Sequence, residues 1–242
     1  MENYFSFGTV SSTNDIAKIL LDQINEVIIT ANYQTKGRGR NNKHWVGDYG
    51  KNIYLSYGIK HRNLETSLSH TMLMYQSIGC LAVKKVLEYI APNLQFVLKY
   101  PNDIYALQNN RWKKISGVLI ENEFVGSNLK STIIGIGING SQQIFDAELA
   151  ATSLVLLGIK ADILDIKHRL IREIKIYVNA EAEYIIKEWK KELRINKKMI
   201  QIVGEEGIWK VQDINEFGLL ILSNEGKERV INNGDSIRYE LE

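Results

Sequence analysis

The sequence predicts an α+β protein, a mixed sheet with flanking helices followed by a small β-barrel. Three observations carry this. Runs rich in β-branched residues, among them Glu26 to Tyr33 and Ser131 to Ile138, are the composition of strands. Leu68 to Ile90 and Asp162 to Arg194 carry apolar residues every three or four positions, as core-facing helices do. After Leu193 the character changes to four short apolar segments, MIQIV, GIWKVQDI, GLLILS and ERVI, divided by Gly207, Gly218, Gly226 and Gly234. A boundary near Leu193 therefore separates residues 1–192 from residues 193–242.

Taken in order, Ser12, Thr13 and Asn14 precede Ile16-Ala17-Lys18-Ile19-Leu20-Leu21. Small polar side chains that accept bonds from free N–H groups mark a helix start there. Glu26 to Tyr33 is a strand that runs into the segment Gln34 to Lys43, which has neither apolar period and reads as a loop. Asn52 to Ile59 alternates as a strand, and Pro92 closes the helix of Leu68 to Ile90. Phe96 to Tyr100, Ile104 to Leu107, Lys114 to Glu123 and Ser131 to Ile138 complete the sheet, with Gln108-Asn109-Asn110 as a polar tip. Asp162 to Arg194 reads as amphipathic helix through Ile163, Ile166, Leu170, Ile174, Val178, Tyr184, Ile185 and Trp189.

Composition excludes several functions. With 30 basic and 28 acidic residues the net charge is only +2, so the molecule as a whole is no electrostatic nucleic-acid binder, and any basic site is local. The 45% hydrophobic content is that of a globular core. One cysteine, Cys80, lies in an apolar run and makes neither a disulfide nor a metal clip, which predicts a reducing compartment. The N-terminus has no signal-peptide pattern and nowhere do eighteen apolar residues run together, so the expectation is a cytoplasmic protein with no membrane partner.

Chemistry concentrates in a few segments. Lys36, Arg38, Arg40 and Lys43 put four cations in eight positions, with Gly37 and Gly39 between them, a pattern suited to an anion. Trp45 adds an apolar wall. Lys99-Tyr100-Pro101-Asn102-Asp103 forces the chain out of a strand where two polar side chains appear, and Lys113-Lys114-Ile115-Ser116-Gly117 opens another strand. Each alone is equally a solvated turn or an edge-strand lysine pair. Gly135-Ile136-Gly137-Ile138-Asn139-Gly140 matches GxGxxG, yet Ser141-Gln142-Gln143-Ile144-Phe145 is a poor helix start, so a dinucleotide fingerprint is rejected. His44, His61, His70 and His168 show no metal-binding spacing, and no metal site is expected.

Taken together and in order, Ser12-Thr13-Asn14, Gln34, Gly37-Arg38-Gly39-Arg40, Trp45, Lys99-Tyr100-Pro101-Asn102-Asp103, Lys114-Ile115-Ser116-Gly117 and Gly135-Ile136-Gly137-Ile138-Asn139 resemble the bacterial biotin protein ligases, formally biotin–[acetyl-CoA-carboxylase] ligases. The resemblance implies a catalytic domain related to lipoate ligases and a C-terminal SH3-like barrel. It implies that biotin and ATP, with Mg2+, give biotinyl-5′-adenylate, and that biotin then passes to one lysine of a biotin carboxyl carrier domain. On this resemblance Ser12, Thr13 and Gln34 bind the ureido ring, and Asn14 belongs to the same biotin site. Gly37, Arg38, Gly39 and Arg40 close over the acid end, Trp45 walls the pocket, and Gly117 leaves room for the ligand. Arg40, Lys43, Trp45, Asn102, Asp103, Lys114 and Asn139 fall on the ATP side. Arg38, Arg40, Lys114 and Asp103 are the catalytic candidates, Lys114 following the carboxylate into the acyl phosphate and Asp103 assisting proton loss from the incoming amine.

This chain departs from the family where many members have Arg-Gly-Arg after GRGR: it has Asn41-Asn42-Lys43, which implies altered loop ordering. Only ten residues precede Ser11, too few for a helix-turn-helix, so a form without DNA binding is expected, as monomer or homodimer. Two alternatives compete. A lipoate or octanoate ligase shares the chemistry but leaves the polar set without a ureido ring, and a nucleic-acid-binding module lacks interleaved aromatics.

Overall fold

The computed structural model describes residues 3–62, 64, 66–146, 149–231 and 233–241. Its first sheet has seven strands: β1 (Tyr4–Val10), β2 (Glu26–Gln34), β3 (Asn52–Lys60), β4 (Phe96–Lys99), β5 (Asp103–Gln108), β6 (Arg111–Val125) and β7 (Asn128–Asn139). Their order is β1-β2-β3-β7-β6-β5-β4, with β1 and β2 parallel and the other neighbours antiparallel. The sheet is mixed, as expected. β1 is an addition to the sequence reading: YFSFGTV has no clean alternation, and its pairing with β2 is made across the intervening helix.

Helix α1 (Thr13–Leu20) packs on one face of the sheet and α2 (Leu68–Ile90) on the other. Strand alternation sorts the residues between them. Val27, Ile29 and Ile133 join Ala17 and Leu21 beneath α1, whereas Ile28, Ile53, Leu55, Tyr57, Ile134, Ile136 and Ile138 face the larger core with α2. GIGIN is therefore strand, not a phosphate-binding turn: its isoleucines face the core and Gly135 and Gly137 face the opposite side.

The amphipathic stretch expected as one helix from Asp162 to Arg194 is two, α3 (Ile163–Val178) and α4 (Ala182–Leu193). Asn179 ends the first, its side chain donating to the Lys175 carbonyl while Ala180 N–H bonds back to Tyr177. Glu181 is extended, and α4 begins after it. The apolar face runs through the break, so periodicity alone hides it.

The second sheet comprises β8 (Met199–Ile202), β9 (Ile208–Ile214), β10 (Leu220–Asn224), β11 (Lys227–Ile231) and β12 (Ile237–Arg238), antiparallel in the order β11-β10-β9-β8-β12. Four strands match the short segments of the sequence, and β12 is too short to be legible. This sheet docks where β4 ends: Tyr100 N–H donates to the Tyr239 hydroxyl at 2.9 Å and Tyr100 Oη to the Gly218 carbonyl at 2.9 Å. Gly234 lies so close to Pro101 that an added Cβ would sit 2.4 Å from its ring.

α2 reaches the sheet through Gly79, where an added Cβ would lie 2.6 Å from a Val118 methyl and 2.7 Å from one of Ile134. Gly79→Val should destabilise the protein by about 1–3 kcal/mol through overpacking, outweighing the roughly 0.5 kcal/mol gained in helix propensity. Denaturant unfolding measures this, and an unchanged midpoint would mean that α2 does not sit this tightly.

Candidate active site

The sheet face under α1 carries the polar site. Three neighbouring strands contribute by register: Ser56 of β3 pairs with Gly135 of β7, Tyr54 with Gly137, and Gly137 in turn with Gly117 of β6. Gly117 and Gly137 leave a flat floor on which the Trp45 indole rests. An added Cβ would come within 3.0 Å of the ring at Gly117 and 2.5 Å at Gly137. Asn14 covers Gly135 in the same way, at 2.4 Å.

At one end of this floor is a connected set of neutral polar groups. Ser12 caps α1, its hydroxyl accepting from Asn14 N–H. Thr13 N–H and hydroxyl both donate to Gln34 Oε1, at 2.7 and 3.0 Å. Ser56 Oγ is shared between Thr13 Oγ1 at 2.7 Å and Asn14 Oδ1 at 2.5 Å. Asn14 Nδ2 donates to Glu121 Oε2 at 2.6 Å. Ser12, Thr13 and Asn14 are buried, so this wall is held by its own hydrogen bonds.

At the other end are the charges. β6 carries a bulge: Ile104 and Tyr105 of β5 pair with Ser116 and Lys114, so Ile115 is the extra residue. That turns Lys114 to the side of Asp103, which pairs with Gly117. Lys114 Nζ lies 2.7 Å from Asp103 Oδ1 and 5.5 Å from the centre of the Trp45 ring. Arg40 Nη1 donates to Asn102 Oδ1 at 3.4 Å, and Asn102 Nδ2 donates to the Val118 carbonyl. The Trp45 Nε1–H is buried without a partner among the described residues, the kind of donor that a bound acceptor satisfies.

The loop from Gly37 to Trp45 is closed on itself. Trp45 N–H donates to the Gly37 carbonyl at 3.0 Å and Gly39 N–H to the Lys43 carbonyl at 2.7 Å, with Arg38 bridging His44. Gly37 is required there, since an added Cβ would lie 2.6 Å from the Trp45 carbonyl. The Gly39 N–H, read from sequence as available to an anion, is used inside the loop. Arg38 also departs from that reading. Its guanidinium grips Glu121 through Nε and Nη2, both at 2.8 Å, and Asp15 through Nη2 at 2.7 Å. The Glu121 bond first and the Asp15 bond second raise its proton affinity further.

Lys43 and Asn139 stand apart from the charged cluster. Lys43 Nζ reaches Asp235 Oδ1 at 2.7 Å and Asn41 Nδ2 reaches Asp235 Oδ2 at 2.8 Å, so two of the three residues that depart from the Arg-Gly-Arg pattern hold the loop to the C-terminal unit. Asn41 has φ 53°, a left-handed conformation that asparagine tolerates. Asn139 Nδ2 donates to the Thr152 carbonyl and steadies the segment that also bonds Lys114 N–H through the Ala150 carbonyl. Ser56, Glu121, Asp15 and Asp235 escape the sequence reading. For Glu121 a signal exists, an acid two steps of alternation from Gly117 that directly follows the apolar run Val118-Leu119-Ile120.

The model of the Biotin/lipoate A/B protein ligase family matches residues 7–139, more than half of the chain. A biotin–[acetyl-CoA-carboxylase] ligase of Mycobacterium tuberculosis is 29% identical over 88% of this chain and 79% of its own. The bifunctional ligase/repressor BirA of Escherichia coli is 27% identical over 90% of this chain and 68% of its own. The structure of the biotin protein ligase from Aquifex aeolicus in complex with biotin and ATP superposes with a TM-score of 0.74 at 26% identity, covering 99% of this chain and all of that one.

Burial raises the Asp235 pKa, but the hydrogen bonds from Lys43 and Asn41 outweigh it and hold the carboxyl below its ordinary 3.8. The contact is therefore complete at neutral pH and is lost only as the pH falls through that depressed value. Because the pair is exposed, Asp235→Asn should speed amide exchange of residues 37–45 at pH 7 by no more than about fivefold. Exchange that is no faster would show that the C-terminal sheet does not restrain the loop.

Proposed function

Since the chain belongs to the biotin/lipoate A/B protein ligase family, we propose that it activates biotin with ATP to biotinyl-5′-adenylate and transfers the biotinyl group to a lysine of a biotin carboxyl carrier domain. The observation that carries this is the arrangement along one sheet face. A neutral set of donors and acceptors at Thr13, Asn14, Gln34 and Ser56 lies at one end, an indole on glycine in the middle, and Lys114, Asp103 and Arg40 at the other. Biotin has the same order: a ureido ring with both donors and acceptors, an apolar stem and a carboxylate. A lipoate ligase would share the acid end but bring no ureido ring to match the donors and acceptors of the polar wall.

Under this reading a biotin carboxylate oxygen attacks the α-phosphorus as the bond to pyrophosphate breaks. Negative charge on the attacking and departing oxygens is met by Lys114 and Arg40. Lys114 leaves its contact with Asp103 to follow the carboxylate oxygen into the acyl phosphate. The acceptor lysine then attacks the acyl carbon and AMP departs. Asp103, relieved of its cation, takes the proton of the amine. Trp45 excludes water from the adenylate. Arg38 is assigned to holding the loop, because its Nε and Nη2 donate to two carboxylates of the protein.

Magnesium belongs with the triphosphate in this scheme. Among the described residues no three His, Cys, Asp or Glu side chains converge on one point, and Mg2+ is commonly held by substrate phosphates with one or two carboxylates. We assign residues 1–192 to catalysis and residues 193–242 to the small barrel. β1, at the outer edge of the sheet, offers unpaired backbone groups for the carrier or for a second copy of the chain. No helix among the described residues is long and apolar enough to cross a membrane. The unpaired, buried Cys80 suits a cytoplasmic setting.

Purified protein with biotin, ATP and Mg2+ should yield biotinyl-adenylate by mass spectrometry, and lipoate should not replace biotin. Lys114→Gln should slow adenylate formation by about 100-fold or more. Asp103→Asn should leave adenylate formation within about tenfold but slow transfer from preformed adenylate by about 100-fold, the scale of general-base assistance. Normal transfer by that variant would remove Asp103 from the proton step. Activation of lipoate alone would replace the substrate.

A further inference from the structure

Glu121 lies outside the ligand-contacting set assigned above, yet it takes more bonds than any of those side chains. Its two oxygens accept three donors: Arg38 Nε, Arg38 Nη2 and Asn14 Nδ2, at 2.8, 2.8 and 2.6 Å. The two Arg38 bonds form a bidentate pair, the geometry in which a guanidinium holds a carboxylate most firmly. The three residues come from different elements. Arg38 is on the loop and Asn14 in the first turn of α1, whereas Glu121 is in the interior of β6, paired with Ile133 of β7. One carboxylate on a central strand thus fastens the two parts of the pocket that have least sheet support of their own.

The charge count excludes the simpler reading in which Arg38 waits for the substrate acid. Its single positive charge faces Glu121 and Asp15, and Asp15 has its own further bond from the Ser11 hydroxyl. The cluster carries a net negative charge and would repel a carboxylate or phosphate that approached it. From this geometry, and resting on the reading of the site as one for biotin and ATP, we propose that Glu121 is a positioning residue for the adenylate. It holds the Arg38 limb of the loop and the start of α1 in one frame, so that the ureido wall and the closed loop form together. The side-chain path runs without a break from Gln34 through Thr13, Ser56, Asn14 and Glu121 to Arg38.

Glu121→Gln keeps the size and removes the charge. It should raise the KM for biotin and speed dissociation of preformed biotinyl-adenylate, each by about tenfold, the effect of losing one hydrogen bond to a charged group. The rate of transfer to acceptor from saturating adenylate should stay within about twofold. Arg38→Gln should reproduce the faster dissociation, and the double variant should be no faster than either single one, because both break the same link. In the protein without ligand, amide exchange of residues 37–45 and 13–15 should rise together in Glu121→Gln. A merely structural role predicts a lower melting temperature with KM and dissociation unchanged, and that result overturns the proposal. So do effects that multiply in the double variant. Should Glu121→Gln fail to fold, the proposal stands or falls on Arg38→Gln, with unaltered dissociation overturning it. Wild-type protein that makes no biotinyl-adenylate overturns the reading of the site itself, whereas normal wild-type activation with an unaltered variant overturns the role of Glu121 alone.

Discussion

Two-residue alternation in β3, in β7 and in β6 from Ser116 to Glu123 is the constraint on which the site depends. In β7 it sends Ile134, Ile136 and Ile138 into the core under α2 and leaves Gly135 and Gly137 on the other face. A slip of one residue would bury glycines and expose isoleucines, so the hydrophobic core fixes the register of the site as firmly as its own. The glycines admit the Trp45 indole and the Asn14 side chain within contact of the backbone. The floor is flat because the core demands isoleucine at every other position and the ligand side demands no side chain at the rest.

The cationic loop behaves differently from a mobile cluster of charges. Its backbone closes on itself, its foot passes through Gly47 against the buried Asn52, and its tip touches Asp235. Of its four cations, Arg38 and Lys43 are bonded to carboxylates of the protein, and Arg40 faces Asn102. The separation has a physical use. A loop whose every cation competed for the ligand would have no charge left to hold it shut. A loop whose cations were all paired would leave the acid end to Lys114 alone.

Much of the frame is legible in the sequence because it is written in periodicity. α2 falls at Leu68–Ile90 as expected, and the four short segments after Leu193 become β8 to β11. Lys114 and Asp103, suspected separately, prove to be 2.7 Å apart. What the sequence hides has particular reasons. β1 is an edge strand with a mixed burial pattern whose partner is reached through a helix. The turn at Asn179 is made by a side-chain bond that no apolar pattern records. Ser56 and Glu121 are ordinary strand residues whose importance is the register that sets them opposite Gly135 and Ile133. For Arg38, residue type correctly indicates an anion but cannot say that the anion belongs to the protein.

Under the proposed function the two ends of the site place opposite demands on their surroundings, and the fold separates them accordingly. A neutral ring is recognised by matched donors and acceptors, which needs burial and rigid partners but no net charge, and the Thr13, Asn14, Gln34 and Ser56 set is buried or half-buried and self-bonded. An acid that must become an acyl phosphate needs cations that can change partner, and Lys114 has a long stem, a half-exposed head and a carboxylate companion. Were Lys114 set among the ring-binding groups, its desolvation would be uncompensated whenever the ligand was absent. Asp103 removes that cost, which under the proposed function explains why the cation assigned to the acid end is stored in an ion pair. Trp45 lies between the two environments, close enough to Lys114 for its ring face to share the charge and apolar enough to keep water from the bond that must survive until an amine arrives.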